Sequence, residues 1–569
     1  MENVRKILTP SAIWKNFNGD LPLKESKVNE MTYDGITYIE VYFSGRETES
    51  GRVRIYGLYA RPQPLPMNRK LGAVLILPDC NETVDLETVN HFARMGYAVL
   101  MVDYRGDVGD TTNHTNYPSE IEYANYGKEP DIFKVERTAQ ETCWYEWVAV
   151  GKYALAYLKS RPEVDKIGVV GIKQGGNVGW QLLYNEDRVS CFVTLFGIGW
   201  QAYKGVHKSN SGDIEMNDER YRWLGGVDAH VYAQYASCPV LYVAGTNSYD
   251  YDCERGVDTL ARVNKSIKCS FCYAPRLRNV VNKKCGDDIA VFLKKHLSRA
   301  GALSDKLYFP ESPQVSIALG DDKRSAFAEV TVDCEDKLKG LCVYLSEGTV
   351  EPSKRNWILM QPVKVKQEGN KRYYKVALGG GTDFVNAFAV ADYKNGVSIS
   401  SRIVFKKFDE AVPVTVANML FSSKNGIDCF TICDETESAI GKLLFSENTG
   451  VELAECASGI AGVTSRFGLM TYRIGEKRFS TNSHSMIKMD VYCEDYTHLV
   501  VSLMISEKDK LVPYSYAVDL KGSKVWQKVQ ISFSDLKNEN RMGIKNYEDI
   551  VALKIDAESR FAINNLLLI

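Results

Sequence analysis

Between residues 50 and 300, the sequence alternates continuous apolar runs with segments of helical periodicity. The runs "LGAVLILPDC" and "GYAVLMVDYRG" are apolar at successive positions, as strands buried on both faces require. The segment "ETVNHFARM" between them has the apolar spacing of an amphipathic helix. Buried strands that alternate with helices predict a doubly wound, mostly parallel α/β sheet.

The pattern changes near residue 303, where short alternating strands with Gly, Asn and Asp turns replace the helices. Strands of this spacing, over about 100 residues, are typical of an immunoglobulin-like sandwich. Later strands are longer and still lack helices, which favours a second, jelly-roll sandwich. We therefore predict an α/β domain at 1–302, an Ig-like sandwich at 303–410 and a jelly roll at 411–569.

The segment "KIGVVGIKQGGNVGW", residues 166–180, joins an apolar strand to a helical stretch through a glycine-flanked turn. The pattern G-x-S-x-G marks a strand–turn–helix corner that presents a catalytic serine above a parallel sheet. Here the turn, called the corner below, reads Gly171-Ile172-Lys173-Gln174-Gly175. Lysine therefore stands where a serine nucleophile is expected.

Charge and apolar patterning restrict the partners and the compartment. The net charge is −2, so no general attraction to nucleic acid or to an anionic membrane is expected. No apolar stretch has the length of a membrane span, and the N-terminus lacks the apolar core of a signal peptide. We expect a cytoplasmic protein with reduced thiols, or a secreted one if a leader was removed.

The first domain resembles the α/β-hydrolase superfamily, and within it the acetyl xylan esterase and dienelactone hydrolase-like branch. The segments that carry this resemblance are "GYAVLMVDYRGD", "WYEWVAVGKYALAYLKSRPEVDKIGVVGIKQGG" and "CPVLYVAGTN". The last domain resembles carbohydrate-binding jelly rolls through "VWQKVQISFSDL" and "IVALKIDAESRFAINNLLLI". The resemblance implies an ester hydrolase that uses a serine, an acid and a histidine in that chain order.

All three positions at which the resemblance places catalytic residues carry other side chains. Lys173 occupies the nucleophile position, Ser248 the acid position and Asn279 the base position. A protonated lysine has no lone pair with which to attack an ester. Triad members act as a unit, so three changes together argue against hydrolysis by this route.

Some residues could substitute for the lost groups. Asp250 and Asp252 follow the acid position, and one of them could instead form an ion pair with Lys173. Cys80 is the alternative nucleophile in the loop after the first buried strand, although no histidine is expected beside it to lower its pKa. His207 and His230 belong to an insertion after "VTLFGIGW" and are the histidines to inspect as a relocated base.

The resemblance also implies an oxyanion-binding site built from backbone amides. In this fold the amides come from the residue after the nucleophile and from the loop after the first buried strand. These positions are Gln174 and the loop residues Cys80 and Asn81. Backbone amides survive side-chain substitution, so the site could still bind a carboxylate or a sugar oxygen.

No cofactor is expected, because the sequence contains no phosphate-binding loop, dinucleotide fingerprint or zinc framework. A structural calcium ion in the last domain is the one metal prediction. Its candidate ligands are Asp428, Asp434 and Asp556.

These observations favour a homologue of acetyl xylan esterases that has lost its triad and binds a carbohydrate or a small acidic ligand. One alternative is an active carboxylic-ester hydrolase with relocated catalytic residues. A second alternative is a structural or interaction scaffold. Whether the chain is an enzyme, which ligand it binds and how many copies assemble stay open at this point.

Overall fold

The structure is a computed structural model of the 569-residue chain. It describes residues 5–65, 70–128, 131–201, 216–248, 250–298, 307–320, 326–333, 337–378, 384–408, 416–433, 450–456, 459–476, 478–507 and 510–569. Both predicted domain boundaries, 302/303 and 410/411, lie outside these residues.

All α-helices of the described residues belong to the first domain. They are Pro10–Ile13 (α1), Leu86–Arg94 (α2), Cys143–Ser160 (α3), Gln174–Leu182 (α4), Asp218–Gly226 (α5), Ala229–Tyr232 (α6), Cys253–Leu260 (α7) and Lys283–Leu297 (α8). Within the described part of the chain, none of these helices combines the length and apolarity that a membrane span requires.

The strands of the first domain form a mixed sheet. They are Ser26–Tyr33 (β1), Ile36–Thr48 (β2), Gly51–Pro62 (β3), Leu71–Leu77 (β4), Ala98–Val102 (β5), Val164–Ile172 (β6), Val189–Leu195 (β7), Val240–Gly245 (β8) and Cys269–Ala274 (β9). The order is β1-β2-β3-β5-β4-β6-β7-β8-β9, parallel from β5 to β9 and antiparallel from β1 to β5. The predicted mostly parallel α/β sheet is confirmed, and β5 and β8 are buried at every residue.

The middle region is a sandwich of two antiparallel sheets. Its strands are Gln314–Leu319 (β10), Ala326–Asp333 (β11), Leu338–Glu347 (β12), Ile358–Met360 (β13), Val363–Glu368 (β14), Lys371–Leu378 (β15), Phe384–Tyr393 (β16), Ser398–Ser400 (β17) and Val404–Lys407 (β18). One sheet has the order β10-β11-β15-β14, and the other contains β17, β16, β12, β13 and β18. Alternate residues of both sheets meet in a shared apolar core, so the predicted sandwich is confirmed, while its Ig-like topology stays a prediction.

The two regions share one continuous sheet, which the sequence pattern did not indicate. β17 pairs antiparallel with β9 through Ser400 and Phe271, so the second sheet of the sandwich extends the α/β sheet to 14 strands. β9 would otherwise be an open edge with unpaired backbone groups, and β17 covers part of that edge.

The last region is a second antiparallel sandwich. Its strands are Met419–Phe421 (β19), Glu452–Glu455 (β20), Ala461–Thr464 (β21), Leu469–Thr471 (β22), Met486–Cys493 (β23), Thr497–Glu507 (β24), Lys510–Leu520 (β25), Gln527–Ser532 (β26), Ile550–Ala557 (β27) and Phe561–Leu568 (β28). A six-stranded sheet contains β19, β20, β21, β28, β23 and β26, and a four-stranded sheet has the order β22-β27-β24-β25. One apolar core joins the two sheets, while the jelly-roll topology stays a prediction.

A loop of the middle region packs against the carboxyl ends of β8 and β9. The buried guanidinium of Arg355 lies 2.5 Å from the carboxylate of Glu254 on α7. Its backbone carbonyl accepts a hydrogen bond from Asn247 at 2.7 Å, and Asn247 directly precedes the predicted acid position. The middle region therefore supports the loop that carries Ser248.

Candidate functional site

The corner has the backbone geometry that the sequence pattern predicts. β6 ends at Ile172, α4 begins at Gln174, and Lys173 between them has φ 49° and ψ −111°. A Cβ at Gly175 would lie 2.1 Å from the carbonyl oxygen of Leu77, which no side chain tolerates. The close approach of α4 to the end of β4 therefore requires glycine and forces the sharp turn at Lys173.

Lys173 is buried at this corner beside a carboxylate. Its side chain is 1% exposed, and its Nζ lies 3.7 Å from Oδ2 of Asp79, whose side chain is 2% exposed. Asp79 follows β4 in the loop from which the resemblance draws an oxyanion-binding amide. The sequence pattern did not identify Asp79 as the ion partner of Lys173. The signal was available, because the loops after neighbouring parallel strands meet at one edge of the sheet.

The same carboxylate contacts the predicted oxyanion-binding amides. Oδ1 of Asp79 accepts a hydrogen bond from the amide of Cys80 at 2.9 Å and from the amide of Gln174 at 3.4 Å. The structure thus brings the amides of Gln174 and Cys80 to the same carboxylate oxygen. Asn81, the third predicted residue, is exposed on the same loop.

The predicted acid and base positions lie next to each other in space. Oγ of Ser248 donates to Oδ1 of Asn279 at 2.6 Å, and Nδ2 of Asn279 donates to Oδ2 of Asp250 at 3.2 Å. A serine–asparagine hydrogen bond therefore joins the two predicted positions. The carboxylate of Asp252 accepts a hydrogen bond from the amide of Glu254 and caps α7.

The described first domain matches a known family. Residues 57–238 match the dienelactone hydrolase family. The first domain is a dienelactone hydrolase family domain of the α/β-hydrolase type. No curated protein matches this sequence significantly.

Several solved structures are similar to this dienelactone hydrolase family domain. An acetyl xylan esterase from a Thermoanaerobacterium species is 17% identical, with 52% of this chain and 96% of that chain covered and a TM-score of 0.40. An acetyl xylan esterase from a Paenibacillus species is 18% identical, with 51% and 92% covered and a TM-score of 0.40. An acylaminoacyl peptidase from Pyrococcus horikoshii is 12% identical, with 50% and 52% covered and a TM-score of 0.33.

Cys80, the candidate nucleophile, is a buried thiol in an unfavourable setting for ionisation. Burial, together with the negative charge of Asp79, raises its pKa well above the ordinary value. A thiolate is the reactive form, so this environment disfavours nucleophilic attack by Cys80.

His230, one of the two histidines singled out from the sequence, forms a buried dyad. Its Nδ1 lies 2.8 Å from Oδ1 of Asp228, and the indole ring of Trp200 stacks on the imidazole at 4.6 Å. Burial opposes ionisation of Asp228, but hydrogen bonds from His230 and from backbone amides hold its pKa below the usual value. The sequence pattern did not identify this carboxylate. His207 lies outside the described residues.

Two of the three predicted calcium ligands in the last domain lie within the described residues. Asp428 is exposed, Asp434 lies outside the described residues, and Asp556 has its Oδ2 3.7 Å from Nζ of Lys554. Among the described residues, no group of three or more His, Cys, Asp and Glu side chains is placed to hold a metal ion. The calcium site stays a prediction.

Proposed function

We propose that this chain is a non-hydrolysing protein built on a dienelactone hydrolase family domain, and that it binds a carbohydrate or a small acidic ligand. The observation that carries the proposal is the buried ion pair at the corner, with Nζ of Lys173 3.7 Å from Asp79. An ammonium group paired with a carboxylate has no lone pair for attack on an acyl carbon. The position that carries the nucleophile for ester hydrolysis in this fold is thus occupied by a charged lysine.

The acid and base positions support the same proposal. Asn279 occupies the base position and carries an amide, which cannot accept a proton from a nucleophile near neutral pH. Its oxygen accepts a hydrogen bond from Ser248, and its nitrogen donates to Asp250. Both ends of the amide are engaged, so the residue acts as a structural bridge between two loops.

The carbohydrate part of the proposal draws support from the last sandwich. A groove of about 600 Å³ there has a polar lining that includes Glu452, Arg466, Asp556, Glu558 and Arg560. Carboxylates and guanidinium groups supply the acceptors and donors that sugar hydroxyls require. The groove has the size of ordinary small-ligand sites.

Ester turnover and active-site labelling test the loss of hydrolysis. We expect the wild-type protein to hydrolyse neither p-nitrophenyl acetate nor acetylated xylan above the buffer rate, and to resist a fluorophosphonate probe. Turnover by the pure protein, or labelling of a serine, would contradict the proposal.

A gain-of-function variant tests whether the pocket is retained. The triple variant Lys173→Ser, Ser248→Asp, Asn279→His restores the three groups that the fold uses for ester hydrolysis. We expect ester turnover to appear in this variant and not in the single variant Lys173→Ser, because a serine without its base is not activated.

An active hydrolase with relocated residues is the second candidate, and the His230–Asp228 dyad favours it. An imidazole oriented by a buried carboxylate is the usual base arrangement in acyl transfer. Among the described residues, the His230 ring forms a hydrogen bond only with Asp228. No hydroxyl or thiol of those residues forms a hydrogen bond with the ring. Loss of measurable turnover in His230→Ala relative to wild type would support this candidate.

A further inference from the structure

The loop after β4 places a side-chain carboxylate against the two backbone amides that the fold predicts as oxyanion donors. Oδ1 of Asp79 accepts from the amides of Cys80 and Gln174, at 2.9 and 3.4 Å. Oδ2 of the same group lies 3.7 Å from Nζ of Lys173. Each carboxylate oxygen of Asp79 is therefore in contact with a different kind of donor.

Two backbone amides and one ammonium group surround the carboxylate, and such groups bind carboxylates well. The amide of Gln174 opens the nine-residue helix α4, where the helix dipole favours negative charge. Lys173 adds a full positive charge on the other side of the carboxylate. Both charged side chains are at least 98% buried, so their interaction is little screened by water.

We propose that the corner is a carboxylate-binding site that the chain fills with its own Asp79. In the resting protein, an external acid can bind at the corner only by displacing this side chain. The inference rests on the proposed function, since it takes residue 173 as an anion-binding ammonium and not as a nucleophile. The class of ligand that the site accepts is a small monocarboxylate.

Removal of the internal carboxylate provides the test. In Asp79→Ala, the two amides and Lys173 stay in place without the group that they bind. We expect about 100 mM sodium formate to raise the Tm of Asp79→Ala by about 2 °C or more relative to sodium chloride at equal ionic strength, as for a ligand with a Kd near 10 mM. Acetate should act less than formate and propionate less still, because Asp79→Ala keeps Cβ and leaves a space the size of one carboxylate group.

Two control proteins define the site. The wild type should respond to formate no more than to chloride, since Asp79 already fills the corner. The double variant Asp79→Ala, Lys173→Met should lose the formate response, because it lacks the cation. An equal response of wild type and Asp79→Ala would overturn the proposal, as would an undiminished response of the double variant.

If Asp79→Ala folds poorly, refolding in formate and in chloride replaces the Tm measurement. Asp79→Ala is refolded in parallel in formate and in chloride, and recovery of native protein in formate alone supports the proposal. Equal recovery without a Tm difference, or failure in both salts, overturns it. Ester turnover by the wild type would overturn the proposed function without changing the formate response, so the two failures are distinguishable.

Discussion

Lys173 has a backbone conformation that lysine rarely adopts, with φ 49° and ψ −111°. Such a conformation costs about 1–3 kcal/mol and persists only where the surrounding structure imposes it. At this corner the constraint comes from the glycines, because a Cβ at Gly171 would lie 2.5 Å from the carbonyl oxygen of Gly175. The corner is thus maintained by close backbone packing, which is independent of the chemistry of the central side chain.

This argument predicts that Gly175→Ala is strongly destabilising. Its added methyl group would lie 2.1 and 2.2 Å from the backbone carbonyl oxygens of Leu77 and Pro78, which cannot rotate away. We expect the free energy of unfolding of the affected domain to fall by about 3 kcal/mol or more, measured by urea denaturation.

Gly450→Ala is the matched control, because its added methyl group would meet no atom within 4 Å. We expect that variant to differ from wild type by about 0.5 kcal/mol at most. Similar stabilities for the two variants would show that the corner is not held by glycine packing.

At the scale of elements, α8 joins the two strands at which the α/β sheet continues into the middle sandwich. Oδ1 of Asp288 on α8 accepts from the amide of Ser398 in β17 at 2.8 Å. Its Oδ2 accepts from the thiol of Cys272 in β9 at 3.3 Å. One carboxyl group therefore connects a helix to both strands of the junction.

The burial of Asp288 predicts a pH dependence of stability. Burial raises its pKa from 3.8 to about 7, so between these values the folded protein retains a proton that the unfolded chain releases. Stability should therefore fall as pH rises through this window, by up to about 1.4 kcal/mol for each pH unit. Asp288→Asn keeps an oxygen for the Ser398 amide but does not titrate, so its Tm should depend less on pH between about 4 and 7.

Asp287→Asn is the control for that experiment. Asp287 lies on the exposed face of α8 and pairs with Lys283. We expect its Tm profile to follow that of the wild type. If the Asp288→Asn and wild-type profiles also coincide, the carboxyl at the junction does not titrate in this window.

At the scale of the whole molecule, the middle sandwich packs directly against the dienelactone hydrolase family domain. The two share a 14-stranded sheet, and Trp357 of the middle region belongs to the apolar core of the first domain. The guanidinium of Arg276 donates to the backbone carbonyl of Trp357 at 3.0 Å. Loops that carry the predicted acid and base positions are therefore supported from another domain.

The junction predicts a large effect of Arg355→Ala. The variant leaves the carboxylate of Glu254 buried without the guanidinium that lies 2.5 Å away. Burial raises the pKa of Glu254 to about 8, so the test is made at about pH 9, where the group is charged. We expect the free energy of unfolding there to fall by about 3–5 kcal/mol, seen as a lower Tm and faster proteolysis.

Lys354→Ala is the neighbouring control, since Lys354 is 28% exposed and pairs with a partly exposed glutamate. Its loss should cost about 1 kcal/mol or less. Equal melting of the two variants would show that the Arg355–Glu254 pair does not stabilise the junction.

Much of the fold could be predicted from local pattern. The apolar runs of β4 and β5, the helical spacing of α2 and the change to alternating strands after residue 303 all correspond to the structure. The corner could also be located, because the two glycines and the strand before them are adjacent in sequence. Asp79 as the partner of Lys173 was missed, since that contact joins loops after different strands.

The sequence by itself determined the class of each domain and the residue at the corner, because periodicity and turn chemistry act between near neighbours in the chain. Only the tertiary structure decided that Asp79 accepts a hydrogen bond from the amide of Gln174 and that β17 extends the α/β sheet beyond β9. Both contacts join residues far apart in the chain. Their formation depends on the order of the strands in the sheet and on which loops are neighbours at its edge. A local sequence pattern does not specify either.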